Sequence, residues 1–181
     1  MTNCYQFLVP RLNGERIGKD FDYYLSLVRK GVAGFIIFGG RTGTVRRHIG
    51  RLQAEAAGLP LIISSDLERG LGQQLAGGTL FPPAMALASA VCGNSGELTA
   101  VAGSGGLELL RDSFKAVAAE AAYAGINTIF APVLDINTNP KNPIISVRAF
   151  GEDERTVSFF GCEMIRMLQS NGIAACGKHF P

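Results

Sequence analysis

Ala121-Ala122-Tyr123-Ala124-Gly125-Ile126-Asn127-Thr128-Ile129-Phe130-Ala131-Pro132-Val133-Leu134-Asp135 holds the change of pattern on which the fold turns. Upstream of it Leu107, Leu110, Phe114, Val117 and Ala121 make one apolar stripe at helical spacing. Gly125 supplies the left-handed geometry that ends a helix. Thr128 to Leu134 then reads as a strand with an interrupted end, and Asp135 follows it directly.

The same joint occurs at Gly31-Val32, Gly58-Leu59 and Gly172-Ile173. The patterns around these joints predict helices over Phe21–Lys30, over Val45–Ala57 with Thr44 as N-cap, and from about Glu154 to Ser170. Strands are expected at Gly34–Phe38, Leu61–Ile63 and Ile173–Cys176, with Tyr5–Val9 as a first strand. Continuous apolar strands separated by helices imply a parallel sheet covered by helices. About five strands and four connecting helices fit an open doubly wound sheet or the first part of an eight-stranded α/β barrel. A complete barrel takes roughly 200 to 250 residues. The chain has 181 and stops just after a strand, so residues 1–181 are expected to be one part of a larger domain.

Composition narrows the class. Apolar residues make up 47% and charged residues 18%, against roughly 25% charged in an ordinary soluble protein. That balance excludes intrinsic disorder and requires a substantial core. Seventeen basic and fifteen acidic residues leave +2, too little for a nucleic-acid or membrane surface. No apolar run approaches the ~18 residues of a membrane span, and no signal-peptide pattern opens the chain, so a cytoplasmic location is expected. Cys4, Cys92, Cys162 and Cys176 show no CxxC spacing and are expected to be buried free thiols. With His48 and His179 the only histidines, no metal site is expected.

In both architectures functional groups belong at the carboxyl ends of the strands. Those ends carry Ser64-Ser65-Asp66 with Glu68, then Asp135 with Asn137 and Asn139, then Lys178-His179. One strand-end carboxylate commonly caps a turn. Ionisable groups from three strands on one rim point to a site, because gathered charge is costly without a ligand. Arg148 either pairs with Glu152 or Asp153 on the surface or grips ligand oxygens with its fork. The glycines of Glu68-Arg69-Gly70-Leu71-Gly72 and of Gly103 to Gly106 match neither phosphate-loop pattern, and no Gly-x-Ser-x-Gly occurs.

Five motifs follow one another in order: Ile62-Ile63-Ser64-Ser65-Asp66-Leu67-Glu68, Phe81-Pro82-Pro83-Ala84-Met85-Ala86-Leu87, Phe130-Ala131-Pro132-Val133-Leu134-Asp135-Ile136, Arg148-Ala149-Phe150-Gly151-Glu152-Asp153 and Gly177-Lys178-His179-Phe180-Pro181. Together they resemble the N-terminal catalytic barrel of glycoside hydrolase family 3. The proline after Lys178-His179-Phe180 looks like the β-N-acetylhexosaminidase branch. The resemblance implies the first five or so strands of an incomplete (β/α)8 TIM-like barrel. It implies a retaining exo-β-N-acetylhexosaminidase that removes terminal N-acetylglucosamine, in cell-wall turnover, with a small carbohydrate substrate and no cofactor. A β-glucosidase of the same family and a non-catalytic sugar-binding module are the alternatives.

Carried over residue by residue, Asp66, Arg148, Lys178 and His179 match positions that contact the sugar at the cleaved residue's subsite. Asp135 matches a position that shapes the pocket. The family's aspartate nucleophile and the branch's His acid/base are expected beyond Pro181, so the 181 residues alone are expected to be inactive. The chain departs from the common Asp-x-Glu-Gly-Gly-Arg pattern, since Arg69-Gly70-Leu71 follows Asp66-Leu67-Glu68. Gln74 stands where the hexosaminidase branch often places an arginine.

Overall fold

A computed structural model describes residues 3–93 and 105–180. Five parallel strands form one sheet in the order of the chain: β1 (Arg11–Asn13), β2 (Gly34–Phe38), β3 (Ile62–Ser65), β4 (Thr128–Ile129) and β5 (Ala174–Ala175). That order decides between the two architectures. A doubly wound sheet reverses direction and places its first strand inside the sheet. Here every crossover advances the same way, as in an incomplete (β/α)8 barrel.

The helices are α1 (Phe21–Lys30), α2 (Thr42–Ala54), α3 (Ala84–Cys92), α4 (Gly105–Ala124) and α5 (Glu154–Ser170). Along the outside α1 packs on α2, α2 on α4, and α4 on α5. Their apolar stripes meet the sheet: Val45, Ile49 and Leu52 of α2, Leu110, Phe114 and Val117 of α4, and Val157, Phe160, Met164 and Leu168 of α5 are all buried. Burial at roughly 25 cal/mol per Å2 of apolar surface is the main term holding these layers together.

The glycine joints explain the sharp returns. Gly31, Gly58, Gly125 and Gly172 have φ of 87°, 94°, 85° and 78°, a region other residues enter only with strain. Gly31 caps α1 directly. Gly58 does not cap a helix, because α2 ends at Ala54 and leaves a short link.

Other expectations need correction. Tyr5–Val9 is not the first strand: Cys4–Phe7 is a 3-10 turn whose start is capped by the Asn3 side chain, accepting from Tyr5 N at 3.1 Å. Phe7 and Leu8 stay exposed, and β1 lies at Arg11–Asn13 with only Leu12 buried. Helix α2 starts one turn earlier than Thr44, with Arg41 at its N-cap. Strand β4 is two residues long, and pairing resumes only at Val133 beside Lys178. Helix α3 follows Pro82-Pro83, and its almost wholly apolar sequence gives no contrast between faces.

The cysteines form no disulfide, but they are not buried: Cys4, Cys162 and Cys176 are exposed and Cys92 is half-buried. Cys4 lies on the surface 3-10 turn, Cys162 on the outer face of α5, and Cys176 just past the last strand of the sheet. His48 is structural. Its Nδ1 lies 2.8 Å from the Thr44 carbonyl and its ring packs on Phe21. No described helix is long and apolar enough to cross a membrane.

Candidate active site: an ion chain at the strand ends

Strand β3 runs straight into the site. Ser64 and Ser65 are buried and donate to the carbonyls of Phe35 and Ile37 at 3.3 and 2.9 Å. These bonds satisfy two hydroxyls that would otherwise be costly in a core. Asp66 comes next, and the buried Leu67 anchors the turn that presents Glu68.

Lys178 reaches the same place from the other edge of β4. Its N–H donates to Pro132 O at 3.0 Å, and its carbonyl accepts from Leu134 N at 2.5 Å. Held on both sides, its Nζ lies 2.7 Å from Asp66 Oδ1 and 2.5 Å from Glu68 Oε1. The neighbouring His179 turns to Asp135, whose Oδ2 accepts from the His179 backbone N–H at 3.1 Å and lies 2.6 Å from Nδ1.

Arg148 joins the two halves. Its Nε and Nη2 donate to the two oxygens of Glu68 at 2.9 and 2.8 Å, a two-point fork. Nη1 donates to Ile144 O at 2.9 Å, and Nη2 lies 3.3 Å from His179 Nε2. Arginine has no acceptor, so Nε2 accepts there and Nδ1 donates to Asp135. A continuous chain therefore runs Asp66, Lys178, Glu68, Arg148, His179, Asp135.

The Arg148 position is fixed by packing. Ser146 turns the backbone at φ 42°, and the next-door Ala149 and Phe150 are buried. Phe150 stacks on Phe160 of α5 with ring centroids 5.8 Å apart and meets Phe114 of α4 edge-on at 6.4 Å. Two helices thus carry the arginine loop.

Electrostatics follow from these contacts. Burial works to raise the Glu68 carboxyl, but hydrogen bonds from Arg148 and Lys178 and their charges outweigh it, so Glu68 lies below the ordinary carboxylate range. Hydrogen bonding to Glu68 raises Arg148 further. Both groups are ionised at neutral pH. With Arg69, Gln73 and Gln74, the residues Asp66, Glu68, Arg148, Lys178 and His179 line an open cleft of about 540 Å3.

Asp66, Arg148, Lys178, His179 and Asp135 all lie in this chain of contacts. Glu68, which the sequence places on the rim, is its hub and binds Arg148 and Lys178 together. Its signal was available: a carboxylate two residues past Asp66 on the same strand end, with two cations to satisfy. Arg148 pairs with neither Glu152 nor Asp153; Asp153 instead caps α5 through Thr156 N. Asn137 and Asn139 belong to the loop, not the cleft. Asn137 is buried and bonded to the Gly151 carbonyl, and Asn139 accepts from Lys141 N. The Gly70–Gly72 turn is glycine-rich for close packing: a Cβ on Gly72 would meet Gly78 O at 2.6 Å. Gly103, Ser104 and Pro181 lie outside the described residues.

Comparison with known proteins decides the family. The Glycosyl hydrolase family 3 N terminal domain matches residues 24–181. The chain belongs to glycosyl hydrolase family 3. A Beta-N-acetylglucosaminidase/beta-glucosidase of Cellulomonas fimi is 33% identical over 160 residues, covering 87% of this chain and 26% of that protein. A Beta-hexosaminidase of Vibrio cholerae is 33% identical over 153 residues, covering 83% of this chain and 42% of that protein. The solved family 3 beta-N-acetylglucosaminidase from Paenibacillus sp. superposes with a TM-score of 0.80 at 33% identity, over 99% of this chain and 32% of that one. The chain therefore spans less than half the length of each of these three relatives.

Proposed function

We propose that the cleft holds the terminal sugar of a β-linked N-acetylglucosamine-containing glycan, as the substrate-binding half of a retaining exo-β-N-acetylhexosaminidase. The observation that carries this reading is the six-residue ion chain at the strand ends, open to solvent on one side. A carboxylate such as Asp66 accepts from paired sugar hydroxyls, while Lys178 and Arg148 donate to ring-substituent oxygens. Because the side chains already hold one another, little ordering is required when sugar enters.

A retaining glycosidase needs a carboxylate to attack the anomeric carbon and an acid to protonate the leaving oxygen. Asp66 is held by Lys178, Glu68 by Lys178 and Arg148, and Asp135 by His179. We assign these three carboxylates to holding and positioning, and assign neither chemical step to them. A β-glucosidase activity is the second reading. The Cellulomonas fimi relative is described as both, and the rim carries the neutral Gln74.

Calorimetric titration of the chain with N-acetylglucosamine and with glucose tests this. N-acetylglucosamine is expected to bind, with Asp66→Ala weakening it by about 1.5–3 kcal/mol, the scale of hydrogen bonds to charged groups. Equal binding of glucose favours the β-glucosidase reading. Unchanged affinity in a folded Asp66→Ala variant removes Asp66 from the site.

A further inference from the structure

The cleft's charges are matched except at one position. Lys178 faces Asp66 and Glu68, Arg148 faces Glu68, and His179 faces Asp135. Arg69 lines the same cleft, and among the described residues no carboxylate lies within ion-pair distance of its guanidinium. It is nevertheless held in place. Its backbone N–H donates to Gln73 Oε1 at 2.8 Å, its carbonyl accepts from Phe81 N at 2.8 Å, and its Nε donates to Phe81 O at 3.0 Å. Behind it Gly70 sits at φ 89°, with the Thr79 carbonyl 2.8 Å from where a Cβ would stand. With Nε occupied, Nη1 and Nη2 have no partner among the described residues and form an end-on fork. That fork fits two oxygens of a carboxylate or phosphate. Arg69 stands where the Asp-x-Glu-Gly-Gly-Arg pattern has glycine.

We propose that Arg69 binds an oxyanion alongside the sugar, so that the protein prefers an acidic saccharide to a neutral one of the same shape. This rests on the sugar-cleft reading above. The matched cations cannot do the same work without giving up Asp66 or Glu68, whereas Arg69 gains a partner and loses none.

The test uses the full 181-residue chain and two β-N-acetylglucosaminides of near-identical shape, one carboxymethyl and one carboxamidomethyl. The wild type is expected to bind the carboxylate about tenfold more tightly, the scale of one charge-assisted hydrogen bond. In Arg69→Gln the ratio falls to near one, and Arg69→Lys, which keeps charge but not the fork, lies between. Inorganic phosphate titrated in the presence of the amide identifies the source of the anion. No phosphate binding means the charge is attached to the saccharide; binding that Arg69→Gln abolishes means a free oxyanion. A wild-type ratio of one with the amide bound, or a tenfold ratio that survives Arg69→Gln, overturns the proposal and leaves the sugar reading standing. If neither glycoside binds, both fall.

Discussion

Two glutamates with little-exposed side chains are each clasped by two cations. Glu163 on α5 is bound by Arg111 of α4, at 2.6 Å, and by Arg166 one turn along its own helix. Glu68 is bound by Arg148 and Lys178. The glutamate side chains are 5% and 10% exposed, so burial alone does not tell them apart. Their partners do. Arg111 and Arg166 are 37% and 62% exposed and contact no further carboxylate among the described residues, so the cluster ends in water. Arg148 and Lys178 are 32% and 15% exposed and hand the network on to His179, Asp135 and Asp66 around a cleft. The first arrangement pins two helices. The second keeps polar atoms aimed at a space, which is what a ligand site requires.

The strongest way to break the comparison is to remove what the two clusters share. Phe150 packs on Phe114 and Phe160, from the same two helices that Glu163 ties together, and carries Arg148 two residues away. Phe150→Ala is expected to cost about 3–5 kcal/mol of stability, through lost burial and the cavity left behind. Sugar affinity should fall as well, because the fork on Glu68 loses its anchor. Denaturant unfolding and calorimetry on the same sample check both. A loss of stability with unchanged sugar binding would separate the arginine loop from the helices.

Glu68→Gln comes next. It leaves Lys178 and Arg148 facing each other with one negative charge fewer, and Lys178 has little water to compensate. Breaking a mostly buried pair of this kind is expected to cost about 2–3 kcal/mol, below the 3–5 of a fully buried one because Arg148 is partly solvated. Sugar binding should weaken by at least tenfold, since two donors lose their orientation. Retained affinity in a folded variant would show that Asp66 alone orders the cleft.

How much of this could be read from the sequence follows the range of the forces involved. The joints at Gly31, Gly125 and Gly172 were legible because positive φ is a local requirement of the backbone. The rim was legible because strand ends deliver side chains to one side of a parallel sheet. Glu68 as hub was not, since its partner Arg148 lies 80 residues away and nothing near either residue encodes the pair. The first strand lies later than its pattern suggests because Arg11-Leu12-Asn13 has one apolar residue, whereas the more apolar Tyr5–Val9 begins in a 3-10 turn. Thiol burial failed for a related reason: Cys4, Cys162 and Cys176 lie on surfaces that composition alone cannot distinguish from the core.

Acid sharpens the comparison. Hydrogen bonding to Arg111 and, against burial, the bonds from Arg148 and Lys178 hold Glu163 and Glu68 below the ordinary carboxylate range. A carboxylate depressed in the folded state contributes stability that is present in full above its unfolded value, about 4.3, and is lost as pH falls through the folded value. Both clusters should therefore weaken in acid below that value, and neither should change between neutral pH and mildly acidic conditions. Sugar affinity should decline in the same window for the wild type only. In Glu68→Gln, affinity is already low, and the decline assigned to Glu68 should be missing.

The smallest effect is expected at Glu163→Gln. The amide keeps the shape and one acceptor oxygen, so Arg111 keeps a hydrogen bond to α5, and both arginines can turn to solvent for what they lose. A cost of about 1 kcal/mol follows, in the range of partly exposed pairs. Sugar affinity should not move, because among the described residues no ion pair or hydrogen bond links the Glu163 cluster to the cleft. Measured beside Glu68→Gln, this isolates the surroundings of each glutamate from its charge: the chemical change is identical and the side chains are 5% and 10% exposed. Equal losses of sugar binding in the two variants would mean that the helices transmit as much to the cleft as its own hub does. Unequal losses assign the difference to where the cations lead, to water in one cluster and to a ligand space in the other.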